Sequence, residues 1–474
     1  MKVKRIAIVG GGISGLALAY QLTEIKKKNN ASFEIVLFES SRRVGGTIET
    51  EERDGFLMEK GPDSFISEKP WALDLCKRLG LESEIIGTQN ENRKSFVVRS
   101  GKLLEVPPGF YLIAPTQINE FLKSPLFSIS GKFRMMLEPL IPKRNFKDDE
   151  SVGSFIRRRF GRECLDRVGQ AMIAGIYTGD PENLSLSATM PRLKGLEEKY
   201  GSVIRGLLSG GNTKKKDVFT ASGPRYSLFL TLKKGMEALT QKLEQSMPPG
   251  LLRLGFEIKG LEKDGSNGDW RLVGKNGQAE NADCLCLAAS ANTSGQLLKN
   301  IAPELSEKLA HISYESVATI NFAFRRSDIR HELNGFGFVV PRTENRPLVA
   351  CSFSSQKFEK RAPKDKVLLR VFVGGAFGRH LFNKDDEEIE HLALDDLSRL
   401  LGITAKPLFS SFSRYPDAMV QYGINHLSLV SDIENGTRKH SGLYLTGSSF
   451  RGVGIPDCIR DAEILANEIV KDNK

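Results

Sequence analysis

Short apolar runs and longer stretches of helical periodicity alternate along the chain. Lys4–Val9 ends in Ile6, Ala7, Ile8 and Val9, so it reads as a buried strand. Residues 16–28 hold no proline or glycine, and Leu16, Ala19, Tyr20 and Thr23 share one helical face. Residues 33–38 predict a second strand, 47–59 a hairpin about Asp54-Gly55, and 71–79 a helix stopped by Gly80. Residues 94–106 predict a strand pair about Ser100-Gly101, broken by Pro107-Pro108. From 109 to 142 aromatic and Met-rich helical pieces mix with Lys123, Lys132 and Arg134. Composition there favours ordinary core helices over a membrane-facing surface. Residues 152–172 are basic and helical, 174–181 predict a loop, and 209–217, with Lys214-Lys215-Lys216, an exposed linker.

A helix to about Ser246, a strand near 252–261, a hairpin with Trp270 and an apolar strand at 283–289 then look like the first domain resuming after an insertion. A strand-rich stretch covers 317–373, and an acidic-faced helix covers 385–401. A strand at 442–447 precedes a helix from about Cys458 to Val470, with Asp457 as its expected N-cap.

At 474 residues the chain exceeds one ordinary core, so two or three domains are expected. Hydrophobic content of 40% and the charged fraction are those of soluble globular proteins. The net charge of +10 favours acidic partners, yet no basic run interleaves with aromatics, so nucleic acid is excluded. The six cysteines are scattered and form no Cys-x-x-Cys pair, which argues for a reducing compartment. The histidines show no metal-ligand spacing. The first strand begins almost at once, which leaves no room for a signal peptide, and no apolar run is long enough to span a bilayer.

The chemistry gathers at glycines. Gly10-Gly11-Gly12-Ile13-Ser14-Gly15 joins strand to helix in the Gly-x-Gly-x-x-Gly pattern of a dinucleotide site, where the helix N-terminus meets phosphate. Alone that pattern is weak. Glu39 ends the second strand, farther on than the usual spacing of about 20 residues, and can accept ribose hydroxyls. Arg43-x-Gly45-Gly46 then suits a longer diphosphate running on beneath a flavin. Gly61-Pro62-Asp63-Ser64 offers polar groups at a turn. Gly452-Val453-Gly454-Ile455 leads into the last helix, whose N-terminus can stabilise negative charge on a reduced isoalloxazine.

These segments together resemble the porphyrinogen oxidases of haem biosynthesis, within the flavin amine oxidase superfamily. The narrow markers are Gly-Pro-Asp-Ser-Phe at 61–65, Ala-Gly-x-Tyr-x-Gly-Asp-Pro at 174–181 and Gly-Val-Gly-Ile-Pro-Asp-Cys-Ile at 452–459. The resemblance implies an α/β fold. A discontinuous Rossmann-like FAD-binding domain would comprise 1–90, 226–300 and 410–474. A helical domain at 90–210 would rest on a membrane surface, and a mixed-sheet substrate domain would cover 300–410. FAD would be held by Gly10, Gly12, Ile13, Ser14, Gly15, Glu39, Ser40, Arg43, Gly46, Gly61, Pro62, Asp63, Ser64, the backbone of Ile258, and Val453, Gly454 and Ile455. Gly175, Val339, Ser352 and Phe372 would line the substrate pocket, with Ser352 replacing the leucine of plant enzymes.

The reaction so implied is a six-electron oxidation of porphyrinogen to porphyrin. Flavin N5 takes hydride and dioxygen is reduced to hydrogen peroxide, with no catalytic side chain and no metal. Protoporphyrinogen IX is the first substrate reading and coproporphyrinogen III the alternative. The arginine that plant and animal enzymes set against a propionate is replaced at the matching position by Ser95. The implied setting is cytoplasmic, with peripheral membrane contact and a homodimer as candidate assemblies. Two other readings share the fold: an amine oxidase or carotenoid desaturase, and a non-catalytic module like the GDP-dissociation inhibitors. The narrow motifs oppose the first, and the intact Gly10, Gly12, Gly15 and Glu39 oppose the second.

Overall fold

The computed structural model describes residues 3–89, 93–145, 148–209, 228–263 and 269–472. Apart from Ser209, the linker expected at 209–217 lies outside them.

Five parallel strands form one sheet, in the order Leu252–Leu254, Phe33–Glu39, Lys4–Val9, Cys284–Leu287, Leu443–Leu445. Both faces are covered, which explains the unbroken apolar runs. Ile6, Ile8, Leu37, Cys284 and Cys286 face one layer, with Leu16 and Leu22 of the helix Ile13–Asn29 and Ile459, Ala462 and Ile469 of the helix Ile455–Asp472. Ala7, Val9, Val36, Phe38, Leu285 and Leu287 face the other, against the helices Ala291–Leu298, Pro303–Ala310 and His426–Arg438. Strand order reverses between Lys4–Val9 and Cys284–Leu287, and ligands of open α/β sheets bind at such a switch point. The sheet is thus a Rossmann-like α/β layer, assembled from strands near the start, the middle and the end of the chain.

The strand expected near 252–261 is in fact two. Leu252–Leu254 joins the parallel sheet, while Ile258–Lys263 joins an antiparallel meander with Trp270–Gly274 and Ala279–Ala282. Gly255 breaks it at φ +69°, and Phe256 then packs 5.0 Å from Phe38.

A seven-stranded sheet runs Phe409–Gln421, Ser313–Arg325, Lys366–Gly374, Leu348–Ser352, Gly337–Val339, Phe96–Arg99, Lys102–Glu105. Its residues alternate between two surroundings. Ile320, Phe322, Phe338, Cys351, Val371 and Val373 pack on Ile389, Ala393 and Leu397 of the helix Asp386–Leu401, which Asp385 caps at the Glu388 N–H. The opposite face carries Thr319, Asn321, Val339, Ser352, Arg370 and Phe372.

The helices between residues 118 and 209 enclose Phe121, Phe127, Met135, Phe155, Ile156 and Phe160. The core reading therefore holds for those side chains. Leu122, Ile129, Phe133 and Leu140 instead lie exposed. No helix among the described residues is long and apolar enough to cross a membrane.

Candidate functional site

The first strand delivers Gly10 to the switch point, where a Cβ on Gly10 would come within 2.7 Å of the Ala288 carbonyl oxygen. Gly15 lies closer still, since its Cβ would meet the Gly10 carbonyl oxygen at 1.9 Å. Gly12 is different. It caps the helix Ile13–Asn29 at φ −70°, and a Cβ there would meet no atom within 4 Å. No side chain caps this helix and no acid sits in its first turn. Its leading N–H groups, on Ile13 and Ser14 among others, are thus set for an anion. Open space above Gly12 beside uncapped donors fits the diphosphate of FAD.

Glu39 bends back over this turn. Its Oε2 accepts the Gly11 N–H at 2.6 Å, and its Oε1 accepts from the Ser41 N–H at 2.7 Å and the Ser40 hydroxyl at 3.2 Å. Gly45 pairs with Gly12 as an isolated bridge, and its N–H donates to the Gly11 carbonyl at 2.8 Å. Arg43 braces the same loop, donating to the carbonyls of Val44, Ile48 and Gly46 and to Glu49. Gly61 abuts that loop too, because its Cβ would overlap the Thr47 carbonyl oxygen at 1.7 Å.

The second corner closes on the first. Helix Ile455–Asp472 begins earlier than expected, at Ile455, so Asp457 lies in its first turn instead of capping it. Pro456 is tolerated there because first-turn N–H groups lack intrahelical partners anyway. Asp457 is buried and accepts from Lys69 Nζ at 2.6 Å, with Arg460 Nη1 at 3.5 Å. The Cys458 thiol, pushed up to about 11 by burial, donates to the Gly452 carbonyl at 3.9 Å. Val453 packs against the second core layer, and Ile455 belongs to the first.

Asp63 and Ser64 lie against Lys357. Burial pushes Asp63 up, but Lys357 and Arg370, with hydrogen bonds from Lys357 and Ser64, outweigh it and hold the carboxyl at about 2. Lys357 Nζ lies 2.8 Å from Asp63 Oδ2, and the Ser64 hydroxyl donates to Asp63 at 2.6 Å. Pro62 sits between these and Gly61. The Lys60 carbonyl accepts from Thr319 Oγ1 at 3.0 Å and Arg370 Nη2 at 2.8 Å, and the Glu59 carbonyl from Asn321 Nδ2 at 3.1 Å. One face of the seven-stranded sheet is therefore fastened to the backbone just before Gly61.

Three of the four expected pocket residues stand on that face. Val339 pairs with Ala350 and Ala350 with Phe372, while Ser352 lies two residues on. All three are partly exposed, and the Arg370 guanidinium lies 4.8 Å from the centre of the Phe372 ring. The fourth, Gly175, lies opposite, where a Cβ would touch Val339 at 3.4 Å. It is not in a loop, as expected for 174–181. The helix Gln170–Tyr177 runs through it and ends at Thr178, φ +54°. Ile258 opens its meander strand with its side chain in the core beside Phe38.

A groove of about 1000 Å³ lies along the open edge of Leu443–Leu445 between the helices His426–Arg438 and Ile455–Asp472. It contains none of the expected site residues. Its rim pairs Arg451 with Glu434 and Arg460 with Asp461. Sequence reasoning did not find Thr319, Asn321, Lys357 or Arg370, because their partners lie hundreds of residues away.

Paired glycine corners on a Rossmann-like sheet, opening onto a half-apolar wall, define an FAD-dependent oxidoreductase. The family model described as flavin containing amine oxidoreductase matches residues 13–470. The coproporphyrinogen III oxidase of Bacillus subtilis is 33% identical over 96% of each chain. The mitochondrial protoporphyrinogen oxidase of Nicotiana tabacum is 27% identical over 95% of this chain and 92% of its own. A crystal structure from Exiguobacterium sp. 255-15 superposes with a TM-score of 0.86 at 30% identity, covering 99% of both chains. The chain belongs to the flavin-containing amine oxidoreductase family.

Proposed function

We propose that this enzyme oxidises a porphyrinogen to the porphyrin in haem biosynthesis, with dioxygen as acceptor. The observation that carries the reading is the partly apolar wall of Val339, Ser352 and Phe372 facing Gly175. It is fastened to the backbone before Gly61, and the relatives are named for this chemistry. A large macrocycle needs such a slot, because positioning supplies much of the rate. Gly175 keeps the space opposite Val339 clear of a side chain, because even a Cβ there would touch Val339 at 3.4 Å.

FAD, when bound, supplies the acceptance of hydride and the return of electrons to oxygen. This chain's residues hold and shape. Gly10, Gly12, Gly15, Ile13 and Ser14 take the diphosphate, Glu39 and Ser40 the ribose, and Arg43 and Gly46 brace the loop. Gly61, Pro62, Asp63 and Ser64, the Ile258 backbone and Val453, Gly454 and Ile455 complete the cradle. The three-part domain division belongs to the same proposal, with FAD bound by 1–90, 226–300 and 410–474.

Protoporphyrinogen IX is the first reading. Coproporphyrinogen III is the second, favoured by the 33% identity to the Bacillus subtilis enzyme. Purified enzyme is assayed by porphyrin fluorescence with each porphyrinogen prepared without air. A rate at least about tenfold higher on one names the substrate, and no turnover of either defeats the proposal. We also infer a cytoplasmic enzyme that meets the membrane peripherally through exposed Leu122, Ile129, Phe133 and Leu140, with Lys123 and Lys132 beside them. Phe133→Asp would then release it from anionic vesicles in flotation, and unchanged flotation would reject that face.

A further inference from the structure

We propose that Tyr422 and His426 are positioning residues that fix the C-terminal glycine corner in the shape the flavin requires. This rests on the reading that Val453, Gly454 and Ile455 meet FAD.

Both side chains are 2% exposed and stack face to face, with ring centres 4.0 Å apart and 17° between planes. Tyr422 follows the long strand Phe409–Gln421, and His426 opens the helix His426–Arg438. Neither belongs to the loop they hold. The Tyr422 hydroxyl donates to the Ser448 carbonyl at 2.6 Å and accepts the Gly452 N–H at 2.7 Å. His426 Nε2, assigned as the protonated nitrogen, donates to the Phe450 carbonyl at 2.9 Å. Burial pushes the His426 imidazole down, so it stays neutral with that one N–H in place. Two side chains therefore satisfy the first, middle and last backbone groups of the loop 448–452.

Phe450 is buried and Ser448 and Gly452 are half-buried, so losing these bonds costs part of the desolvation of each group. A second bolt lies beside the first, with the Tyr314 hydroxyl 2.7 Å from Ser449 Oγ and the Ala291 N–H donating to both. Val453 and Gly454 follow without slack, and Gly452 is pinned by Asp457, whose Cβ would lie 2.4 Å from a Cβ at position 452. The orientation of the backbone that faces the ring system, and of the helix N-terminus behind it, is thus set by a phenol and an imidazole that touch no reacting atom.

The test combines hydrogen exchange of the peptide 446–458 with titration of FAD into stripped protein. Tyr422→Phe keeps the stacked ring and removes both hydrogen bonds. It is expected to speed exchange in that peptide and to weaken FAD binding about tenfold, with a shifted flavin absorption band. His426→Gln retains a donor for Phe450 and stays near wild type, whereas His426→Ala follows Tyr422→Phe. Thr437→Val, which removes a buried hydroxyl bonded to the Ile433 carbonyl in the same helix, serves as a purely structural lesion and leaves FAD binding unchanged. Unaltered exchange in Tyr422→Phe, or FAD affinity within about twofold of wild type, overturns the proposal. If wild-type protein takes up no FAD although exchange still responds to Tyr422→Phe, the flavin reading itself fails and the positioning role falls with it.

Discussion

Lys357 and Asp63 are 294 residues apart in sequence and 2.8 Å apart in space, Nζ to Oδ2. The ammonium also lies 5.2 Å from the Phe229 ring and 5.0 Å from that of Phe358, so its stem and head are both seated. This contact ties the segment that follows Gly61 to the short helix Ser354–Lys357 beside Ser352.

Lys357→Met keeps the stem and removes the charge. Asp63 then loses the attraction of the ammonium beside it and its carboxyl rises from about 2. The depressed value stabilises the fold above the ordinary carboxylate range, and that contribution fades as pH falls toward 2. With 23% of its side chain exposed, Asp63 contributes on the order of 1–2 kcal/mol. Chemical denaturation of Lys357→Met is expected to lose that increment at pH 7 and to match wild type near pH 2. FAD titration is expected to show weaker binding.

Glu59 titrates the other way. Burial is the main cause that raises it to about 7, against the Met236 N–H at 2.8 Å, the Thr50 hydroxyl at 2.8 Å and Arg361 at 3.9 Å, which lower it. The folded state therefore holds this proton more tightly than the unfolded chain. Its influence is most favourable below about 4.5 and is lost as pH rises through about 7, a swing on the order of 3 kcal/mol. Glu59→Gln is uncharged throughout. Denaturation midpoints should show this variant gaining on wild type between pH 5 and pH 8, and parallel curves would contradict the assignment.

What the sequence showed and what it hid divide by range. The first strand, Gly10 to Gly15 and Glu39 could be read because strand, turn and helix lie within a short window whose chemistry needs those residue types. The hairpin about Asp54-Gly55 was legible for the same reason, with strands Thr50–Arg53 and Phe56–Glu59. Local rules misled where a punctuating residue has two uses. Gly175 looked like a loop residue but lies inside the helix Gln170–Tyr177, and Asp457 looked like the N-cap of the last helix but lies within its first turn. The polar seam from Thr319, Asn321 and Arg370 to the carbonyls of Glu59 and Lys60 has no local signature, since it depends on how two sheets dock.

The helices between 118 and 209 enclose a charge network that composition did not reveal. Arg159 and Glu138 are fully buried and ion-paired, and Arg159 also donates to the carbonyls of Ile141 and Gly201. Glu138 in turn accepts the N–H groups of Val203 and Ile204 at 3.0 and 3.2 Å, capping the helix Val203–Ser209. Arg159→Met leaves the Glu138 carboxylate without its buried cation, while Glu197 keeps Arg158 at 2.7 Å. The expected loss is about 3–5 kcal/mol, read as a lower denaturation midpoint. The double variant Arg159→Met, Glu138→Gln should lose less than the single one, because the amide oxygen can still accept the Val203 and Ile204 N–H groups and no buried charge is left at position 138.

Gly12 and Gly61 separate folding from cofactor loading. A Cβ at Gly61 would overlap the Thr47 carbonyl oxygen at 1.7 Å, so Gly61→Ala must displace backbone and should express poorly or unfold early. At Gly12 the conformation is one that any residue adopts, φ −70° and ψ 178°, and no protein atom lies within 4 Å of the added carbon. Gly12→Val is therefore expected to fold with the circular dichroism and denaturation midpoint of stripped wild type. It should fail to take up FAD, because its methyls fill the space above the first helix turn where the diphosphate belongs. The check is the ratio of flavin absorbance to protein absorbance after purification, near zero for Gly12→Val and close to one flavin per chain for wild type. A yellow, stoichiometrically loaded Gly12→Val protein would remove the diphosphate from this turn and with it the proposed cradle.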